Sequence, residues 1–229
     1  MLMKRSGITE GKRIGLTQAV TAFMLVLFVI TLAVTVTLHF RQLYYFDMKY
    51  LNISEISGFG EEEIRANYDA LIDYNSIFFT KELEFPTLPM SASGKFHFEE
   101  VKVIFVAVKI LLIVSAVASI PLIVILFKKK RFQFLKWASI TLVVLPVLLG
   151  IFVFVGWDLF FVAFHLLFFN NDAWLFSPQT DPVILMLPDT FFLHCAVMIL
   201  ALVFVGAGIL FTLYKTLKKR QNNSVKKSA

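Results

Sequence analysis

Four long apolar runs constrain this chain more than any other feature of its sequence. They extend over residues 16–38, 101–127, 138–164 and 191–214. A helix rises about 1.5 Å per residue, so each run is long enough to cross a hydrocarbon layer of roughly 30 Å. Backbone groups in lipid must be satisfied within the segment, and runs of this length achieve that as helices. The sequence therefore predicts an all-α membrane protein with a bundle of four transmembrane helices.

The basic residues indicate how the bundle is oriented. Of the 22 Lys and Arg residues, 15 lie in segments 1–15, 128–137 and 215–229. They are Lys4, Arg5, Lys12, Arg13, Lys128, Lys129, Lys130, Arg131, Lys136, Lys215, Lys218, Lys219, Arg220, Lys226 and Lys227. Cytoplasmic segments of membrane proteins carry an excess of such residues. Both termini are thus expected in the cytoplasm, with segments 39–100 and 165–190 outside the cell membrane, and the net charge of +6 implies no nucleic-acid partner.

The first outer segment, 39–100, is too long for a simple connection and is expected to fold as a small cap. Glu61–Tyr74 places apolar side chains on one stripe behind three leading acids, which predicts an amphipathic helix. Residues 78–85 alternate apolar and polar side chains and end at Pro86, which predicts one short strand. The expected cap is therefore a mixed α/β structure.

All four histidines lie at the predicted outer ends of the spans, at positions 39, 97, 165 and 194. A single histidine at an interface is ordinarily amphipathic packing. Four at one end favour a polar site at the outer leaflet. The one cysteine, Cys195, excludes an intrachain disulfide and a cysteine-built zinc site, and it is expected to be buried and inert. No nucleotide-binding loop or metal-binding motif occurs, so no cofactor and no metal are expected.

Two charged residues lie well inside the apolar runs, in addition to Lys102 at the edge of the second run. Asp158 precedes His165 by seven residues, which places both on one helix face roughly 10.5 Å apart. Lys109 in the second run is expected at the depth of Asp158 in the antiparallel third run. Because an unpaired charge in the membrane costs several kcal/mol, the two are expected to form an ion pair at the floor of the site. A purely structural pair fits this pattern equally well.

Two segments carry a family resemblance. The sequence SASGKFHFEEVK at 91–102 and the aromatic, proline-containing sequence FHLLFFNNDAWLFSPQTDPVILMLPDTFF at 164–192 resemble the lipoprotein intramolecular transacylase family of four-span bacterial membrane proteins. The resemblance implies transfer of one acyl chain, taken as the sn-2 chain, within a diacylglyceryl lipoprotein. The acyl group moves from a glycerol oxygen to the α-amino group of the N-terminal cysteine, giving a lyso-form lipoprotein. The resemblance implies no cofactor. It implies no obligate protein partner, and the expected partners are the lipoprotein substrate and membrane lipid.

The same resemblance suggests roles for individual residues. His165 is expected to be the general base, its tautomer set by Asp158, Asn171 or Asp172, and His97 to stabilise the oxyanion or protonate the leaving oxygen, although the two roles could be exchanged. The supporting residues expected around them are Asp158, Lys109, Glu100, Lys102, Asn171 and Asp172. The residues expected to hold the substrate are Phe98, Trp174, Phe176 and Asp181.

Two other functions are compatible with four spans and rim histidines. One is a non-enzymatic haem-, quinone- or lipid-binding protein, although haem is usually gripped by histidines well inside two helices. The other is a scaffold or small transporter, in which His97 and His165 would be individually dispensable.

Overall fold

A computed structural model of the chain describes residues 15–228, and all regular secondary structure in that range is helical. The basic residues Lys4, Arg5, Lys12 and Arg13, which contributed to the predicted orientation, lie outside the described residues. The helices in chain order are α1 Leu16–His39, α2 Arg41–Tyr50, α3 Ile53–Ser57, α4 Glu61–Tyr74, α5 Ala92–Lys128, α6 Gln133–Val155, α7 Trp157–Phe168, α8 Val183–Met186 and α9 Asp189–Ser228.

Four of these helices are long and apolar enough to cross a membrane, as the sequence predicts. The candidate spans are Leu16–His39, Ala92–Lys128, Gln133–Ile151 and Asp189–Ser224. α5 begins nine residues before the apolar run, where Ser91 caps it by accepting a hydrogen bond from the backbone N–H of Gly94 at 2.9 Å. Consequently His97 lies on the first turns of a transmembrane helix rather than on a loop.

The third apolar run is not one helix. α6 ends before Gly156, whose backbone is extended (φ 177°, ψ 111°), and α7 begins at Trp157. An extended residue interrupts the helical hydrogen-bond ladder, so α7 is free to take a different direction. Asp158 and His165 therefore lie on the short helix α7 and not in the third span.

α1 is the principal neighbour of α5, and it also packs against α6 and α9, which pack on each other. Gly206 on α9 permits one close approach, because a Cβ there would lie 2.6 Å from Cγ1 of Val29 on α1. Consequently α1, rather than the next span α6, is the main neighbour of α5.

Segments 39–100 and 165–190 form a single cap with one apolar core. Tyr44 of α2 stacks on Tyr68 of α4 with ring centroids 3.7 Å apart, and Phe191 at the start of α9 meets both rings edge-on. The buried Tyr44 hydroxyl donates to the carbonyl oxygen of Met186 at 2.7 Å. Segment 165–190 and the start of α9 are therefore fixed on the helices of segment 39–100.

The predicted helix Glu61–Tyr74 is confirmed as α4, with the apolar stripe buried. The predicted strand at 78–85 is wrong, because the described part of the chain contains no strand, and the cap is all-helical with irregular connections. A strand needs a partner for its backbone hydrogen bonds. Here the carbonyl oxygen of Phe79 instead accepts a hydrogen bond from Nζ of Lys102 at 2.7 Å, and Leu83 is buried in the cap core.

Candidate active site

The start of α5 and the end of α7 bring His97 and His165 together beneath the cap. Their ring centroids lie 6.1 Å apart with an interplanar angle of 31°. His97 is only 6% exposed, and His165 is half-buried. The other two histidines lie elsewhere: His39 is exposed at the end of α1, and Nδ1 of His194 contacts both carboxylate oxygens of buried Asp47 at 2.8 and 2.9 Å.

His165 is oriented by the backbone of its own helix. Its Nδ1 lies 2.7 Å from the carbonyl oxygen of Phe161. A carbonyl oxygen only accepts, so Nδ1 carries the proton and Nε2 presents a lone pair. Burial lowers the pKa of His165 below its usual range, although the hydrogen bond to Phe161 opposes this, and the ring is neutral at pH 7. His165 is therefore prepared to accept a proton at Nε2.

Aromatic rings surround both imidazoles. The indole of Trp174 stacks on His165 with centroids 4.6 Å apart, while Phe169 and Phe176 meet His97 edge-on at 4.7 and 5.4 Å. Phe98 is buried and stacks on Phe176. Such walls exclude water and are suited to contact the methylene groups of an acyl chain.

Two polar atoms of this site are buried without a hydrogen-bond partner among residues 15–228. They are Nδ1 of His97 and Nε1 of Trp174. Buried polar atoms are normally satisfied, and exceptions need a reason. Both atoms belong to side chains that contact or neighbour His165.

Segment 165–190 is attached to α5 by Asn171. Its Nδ2 donates to Oε1 and Oε2 of Glu100 at 2.9 and 3.1 Å, and its Oδ1 accepts from the backbone N–H of Ala173 at 2.9 Å. Glu100 lies three residues after His97 on α5, and Trp174 follows Ala173. The contact between Asn171 and Glu100 therefore fixes the Trp174 indole over His165 and close to the helix turn that carries His97.

A second attachment joins the start of α5 to Asp181. The buried carboxylate of Asp181 accepts hydrogen bonds from the backbone N–H of Ser91 at 2.8 Å and from the hydroxyl of Thr180 at 2.7 Å. Gly94 is required for this approach, because a Cβ there would lie 2.2 Å from Oδ1 of Asp181. Asp181, expected among the substrate-binding residues, thus contacts the N-terminus of α5.

The predicted ion pair between Lys109 and Asp158 is wrong for the chain as described. Nζ of Lys109 donates to the carbonyl oxygen of Asn75 at 2.5 Å, whereas Asp158 is exposed on α7. Two features explain this outcome: the break at Gly156 removes Asp158 from the third span, and α1 is the main neighbour of α5. Lys109 instead anchors the C-terminal end of α4, where the helix dipole favours a cation.

The remaining expected residues divide between the cap and solvent. Lys102 lies with Nζ 4.0 Å from the ring centroid of Tyr74 and stabilises the cap. Asp172 is exposed. Neither Asp158 nor Asp172 sets the tautomer of His165, because the carbonyl of Phe161 does so.

Sequence reasoning gave no individual role to Phe161, Phe169, Ser91 or Gly94, although the last three lie within the two matched motifs. Phe161 acts through a backbone carbonyl that any residue could provide, and the only available signal was its position one helical turn before His165. Within residues 15–228, no group of three or more His, Cys, Asp or Glu side chains is arranged to hold a metal ion.

Comparison with known proteins identifies a family and solved structures of the same kind. A family model described as lipoprotein intramolecular transacylase Lit matches residues 19–192. An in meso structure of the membrane integral lipoprotein intramolecular transacylase Lit from Bacillus cereus is 35% identical, with a TM-score of 0.89 over 90% of this chain and 96% of that chain.

Two further structures of the Bacillus cereus protein, each with one histidine substituted, are equally similar in sequence. The histidine-to-arginine variant has a TM-score of 0.83 and 35% identity over 91% of this chain and 93% of that chain. The histidine-to-alanine variant has a TM-score of 0.83 and 35% identity over 90% of this chain and 94% of that chain. No curated protein sequence matches the chain.

Proposed function

This chain belongs to the lipoprotein intramolecular transacylase family, and we propose that it moves one acyl chain within a diacylglyceryl lipoprotein. The acyl group, by this proposal that of the sn-2 position, passes from its glycerol oxygen to the α-amino group of the N-terminal cysteine. The product is the N-acyl, S-monoacylglyceryl lyso form. The observation that carries the assignment of the site is the pair His97 and His165, 6.1 Å apart within aromatic walls.

The reaction is an ester aminolysis between two groups of one molecule. The amine nitrogen attacks the ester carbonyl carbon, a C–N bond forms, and the C–O bond to glycerol breaks in the tetrahedral intermediate. Because donor and acceptor are tethered, holding them in a near-attack conformer removes much of the barrier without an acyl-enzyme. A free α-amine has a pKa of about 7.7 to 8, so that a nearby base is needed at neutral pH.

His165 is the base in this proposal. Its neutral ring presents Nε2 to the amine, takes the proton during attack, and returns it to the departing glycerol oxygen. The hydrogen bond from Nδ1 to the carbonyl of Phe161 supports this role, since it fixes the tautomer and stabilises the imidazolium that forms.

In this proposal His97 and Trp174 stabilise the negative charge that develops on the ester carbonyl oxygen. The indole N–H of Trp174 is buried without a partner within the described range, as is Nδ1 of His97. Donors aimed at an oxyanion in a site that excludes water contribute strongly to rate. His97 stabilises the oxyanion or protonates the leaving oxygen, and a second version of the proposal exchanges its role with that of His165.

The acyl chains are held by the aromatic wall in this proposal. Phe98 and Phe176 line the His97 side of the site, and Trp174 lines the His165 side. The haem-, quinone- or lipid-binding and scaffold alternatives are not favoured, because the matched family and the similar structures are transacylases.

The proposed function is tested by measuring where the acyl chains lie on the lipoprotein before and after reaction. Mass spectrometry of the N-terminal peptide of a diacylglyceryl lipoprotein should show conversion to the lyso form when the purified protein is present. The total acyl count is unchanged by an intramolecular transfer, so the fragment ions must place one acyl group on nitrogen. Loss of a whole acyl group would indicate hydrolysis and contradict the proposal.

We also infer the topology from the distribution of charge. In this arrangement α1, α5, α6 and α9 cross the cell membrane, the two tails and loop 128–137 are cytoplasmic, and segments 39–100 and 165–190 carry the site at the outer leaflet. It is supported by the Lys and Arg residues of the described chain, because 11 of these 18 lie at 128–136 and 215–227, at the end of the bundle opposite to His97 and His165.

Labelling of single cysteines tests this topology. In a Cys195→Ala background, Asp172→Cys is expected to react with a membrane-impermeant thiol reagent in intact cells, whereas Lys129→Cys is expected to react only after permeabilisation. Both positions are exposed in the structure, so that access depends on the side of the membrane. Strong labelling at position 129 in intact cells would reverse the orientation.

A further inference from the structure

A second site lies at the end of the bundle opposite to the histidines. A pocket of about 660 Å³ opens between the start of α6 and the last turns of α9. Five of its lining residues are lysines, and we refer to it as the lysine pocket. They are Lys136, Lys215, Lys218, Lys219 and Lys226.

The positive charge of the lysine pocket has no counter-charge nearby. The sequence contains no Asp or Glu at positions 101–157 or 190–229, and none of the five lysines forms an ion pair within residues 15–228. Lys218 donates only to the neutral amide of Gln221, at 3.3 Å. Five converging ammonium groups repel one another, so that an anion bound among them would be strongly favoured.

The lysine pocket is held in shape by packing and hydrogen bonding, so it differs from a tail that merely carries charge. α6 packs along α9, and Nε2 of Gln221 donates to the carbonyl oxygen of Lys130 at 3.2 Å, which ties the end of α9 to the loop before α6. A general excess of cytoplasmic lysine needs no such concave surface, and the exposed residues Lys128 and Lys129 lie outside it.

The depth of the pocket matches the headgroup layer of a membrane. Tyr214 ends the apolar run of α9 and lines the pocket together with Phe211, and Nζ of Lys215 lies 5.2 Å from the ring centroid of Phe211. Toward the membrane interior, α9 exposes the large apolar side chains Phe204 and Val197, which lie seven and fourteen residues before Phe211 and therefore on the same helix face as the pocket. The surface therefore changes from lysine to aromatic to aliphatic along one helix, as a phospholipid changes from phosphate to glycerol to acyl chain.

We propose that the lysine pocket binds the phosphate headgroup of an anionic phospholipid in the leaflet opposite to the active site. The lysines could bind the phosphate of a lipid or free inorganic phosphate. The adjoining aromatic and aliphatic surface favours the lipid, because only a lipid has acyl chains to contact it. The proposal does not depend on the proposed acyl transfer, because it concerns other residues at the other end of the bundle.

Native mass spectrometry of the purified full chain in detergent tests this proposal. Phosphatidylglycerol and phosphatidylcholine with identical acyl chains are titrated in parallel, and inorganic phosphate is added as a competitor in a third arm. The pocket variant is Lys215→Gln with Lys219→Gln. The matched control is Lys128→Gln with Lys129→Gln, which removes the same charge from the same end of the protein outside the pocket.

We expect the wild type and the control to prefer phosphatidylglycerol, and the pocket variant to bind it more weakly by about tenfold or more, since each basic residue near the surface contributes appreciably. Equal weakening in both double variants would show diffuse attraction and overturn the proposal. So would equal binding of the two lipids by the wild type, or displacement of phosphatidylglycerol by millimolar inorganic phosphate. Should the pocket variant fail to fold, the single variant Lys219→Gln is compared with Lys129→Gln by the same criteria.

Discussion

His165→Gln is expected to lower the rate of acyl transfer by about 10² to 10⁴, the usual contribution of a general base. Glutamine keeps a side-chain amide able to donate a hydrogen bond toward the carbonyl of Phe161, but it cannot accept the proton of the attacking amine. Because His165 is half-buried at the end of α7, expression and membrane insertion should remain near normal. Initial rates of lyso-form production, measured by mass spectrometry on purified protein, give the result.

His39→Gln is the matched control for this experiment. His39 is exposed at the end of α1 and should be replaceable with little change in rate. His194 is a poorer control, because its loss would leave the fully buried carboxylate of Asp47 without its partner and destabilise the cap. Full activity of His165→Gln would remove the general-base assignment. Full activity of both His165→Ala and His97→Ala would leave only a binding or scaffold function.

The spans and the pair of histidines could be predicted because their signals are local. Length and apolar composition alone indicate α1, α5 and α9, and the stripe of Ile64, Tyr68 and Leu71 indicates α4. His97 and His165 follow from the motifs around them. Each of these inferences depends on residues close together in the chain.

The errors arose where distant parts of the chain decide the structure. The predicted pair of Lys109 and Asp158 rests on their similar depth in antiparallel runs, whereas in the structure α1 packs on α5 and Asn75 of the cap accepts the lysine hydrogen bond. The alternation at 78–85 reflects burial of Leu83 in the cap core rather than pairing with another strand. In both cases the partner is set by tertiary packing that periodicity does not encode.

The contact between Gly94 and Asp181 is also a long-range one, and it leads to the second large effect that we expect. Gly94→Ala would place a Cβ 2.2 Å from Oδ1 and 3.0 Å from Cγ of Asp181. The carboxylate would have to leave the backbone N–H of Ser91, and Phe176, which contacts His97, lies only 3.3 Å from the same Cβ. A displacement of about 1 Å near the reacting atoms can lower a rate by about 10².

We therefore expect Gly94→Ala to reduce acyl transfer by about tenfold to a hundredfold while the protein still inserts in the membrane. Gly208→Ala is the matched control, since a Cβ at Gly208 on α9 meets nothing within 4 Å, and its rate should equal that of the wild type.

A double-mutant cycle with Asp181→Ala separates steric displacement from a general effect on the helix. Asp181→Ala removes the obstructing carboxylate and, on its own, frees the second outer segment from the start of α5, so it should also lower the rate. In that background Gly94→Ala should cost much less than it does alone, because the atoms it would strike are gone. If the fold-reductions in rate of the two single variants multiply in the double variant, the residues act independently. Gly94 then does not position the segment carrying Trp174 and Phe176. Coupling of the expected sign would show that the site depends on Asp181 as a joint between the two motifs rather than as a contact to the substrate.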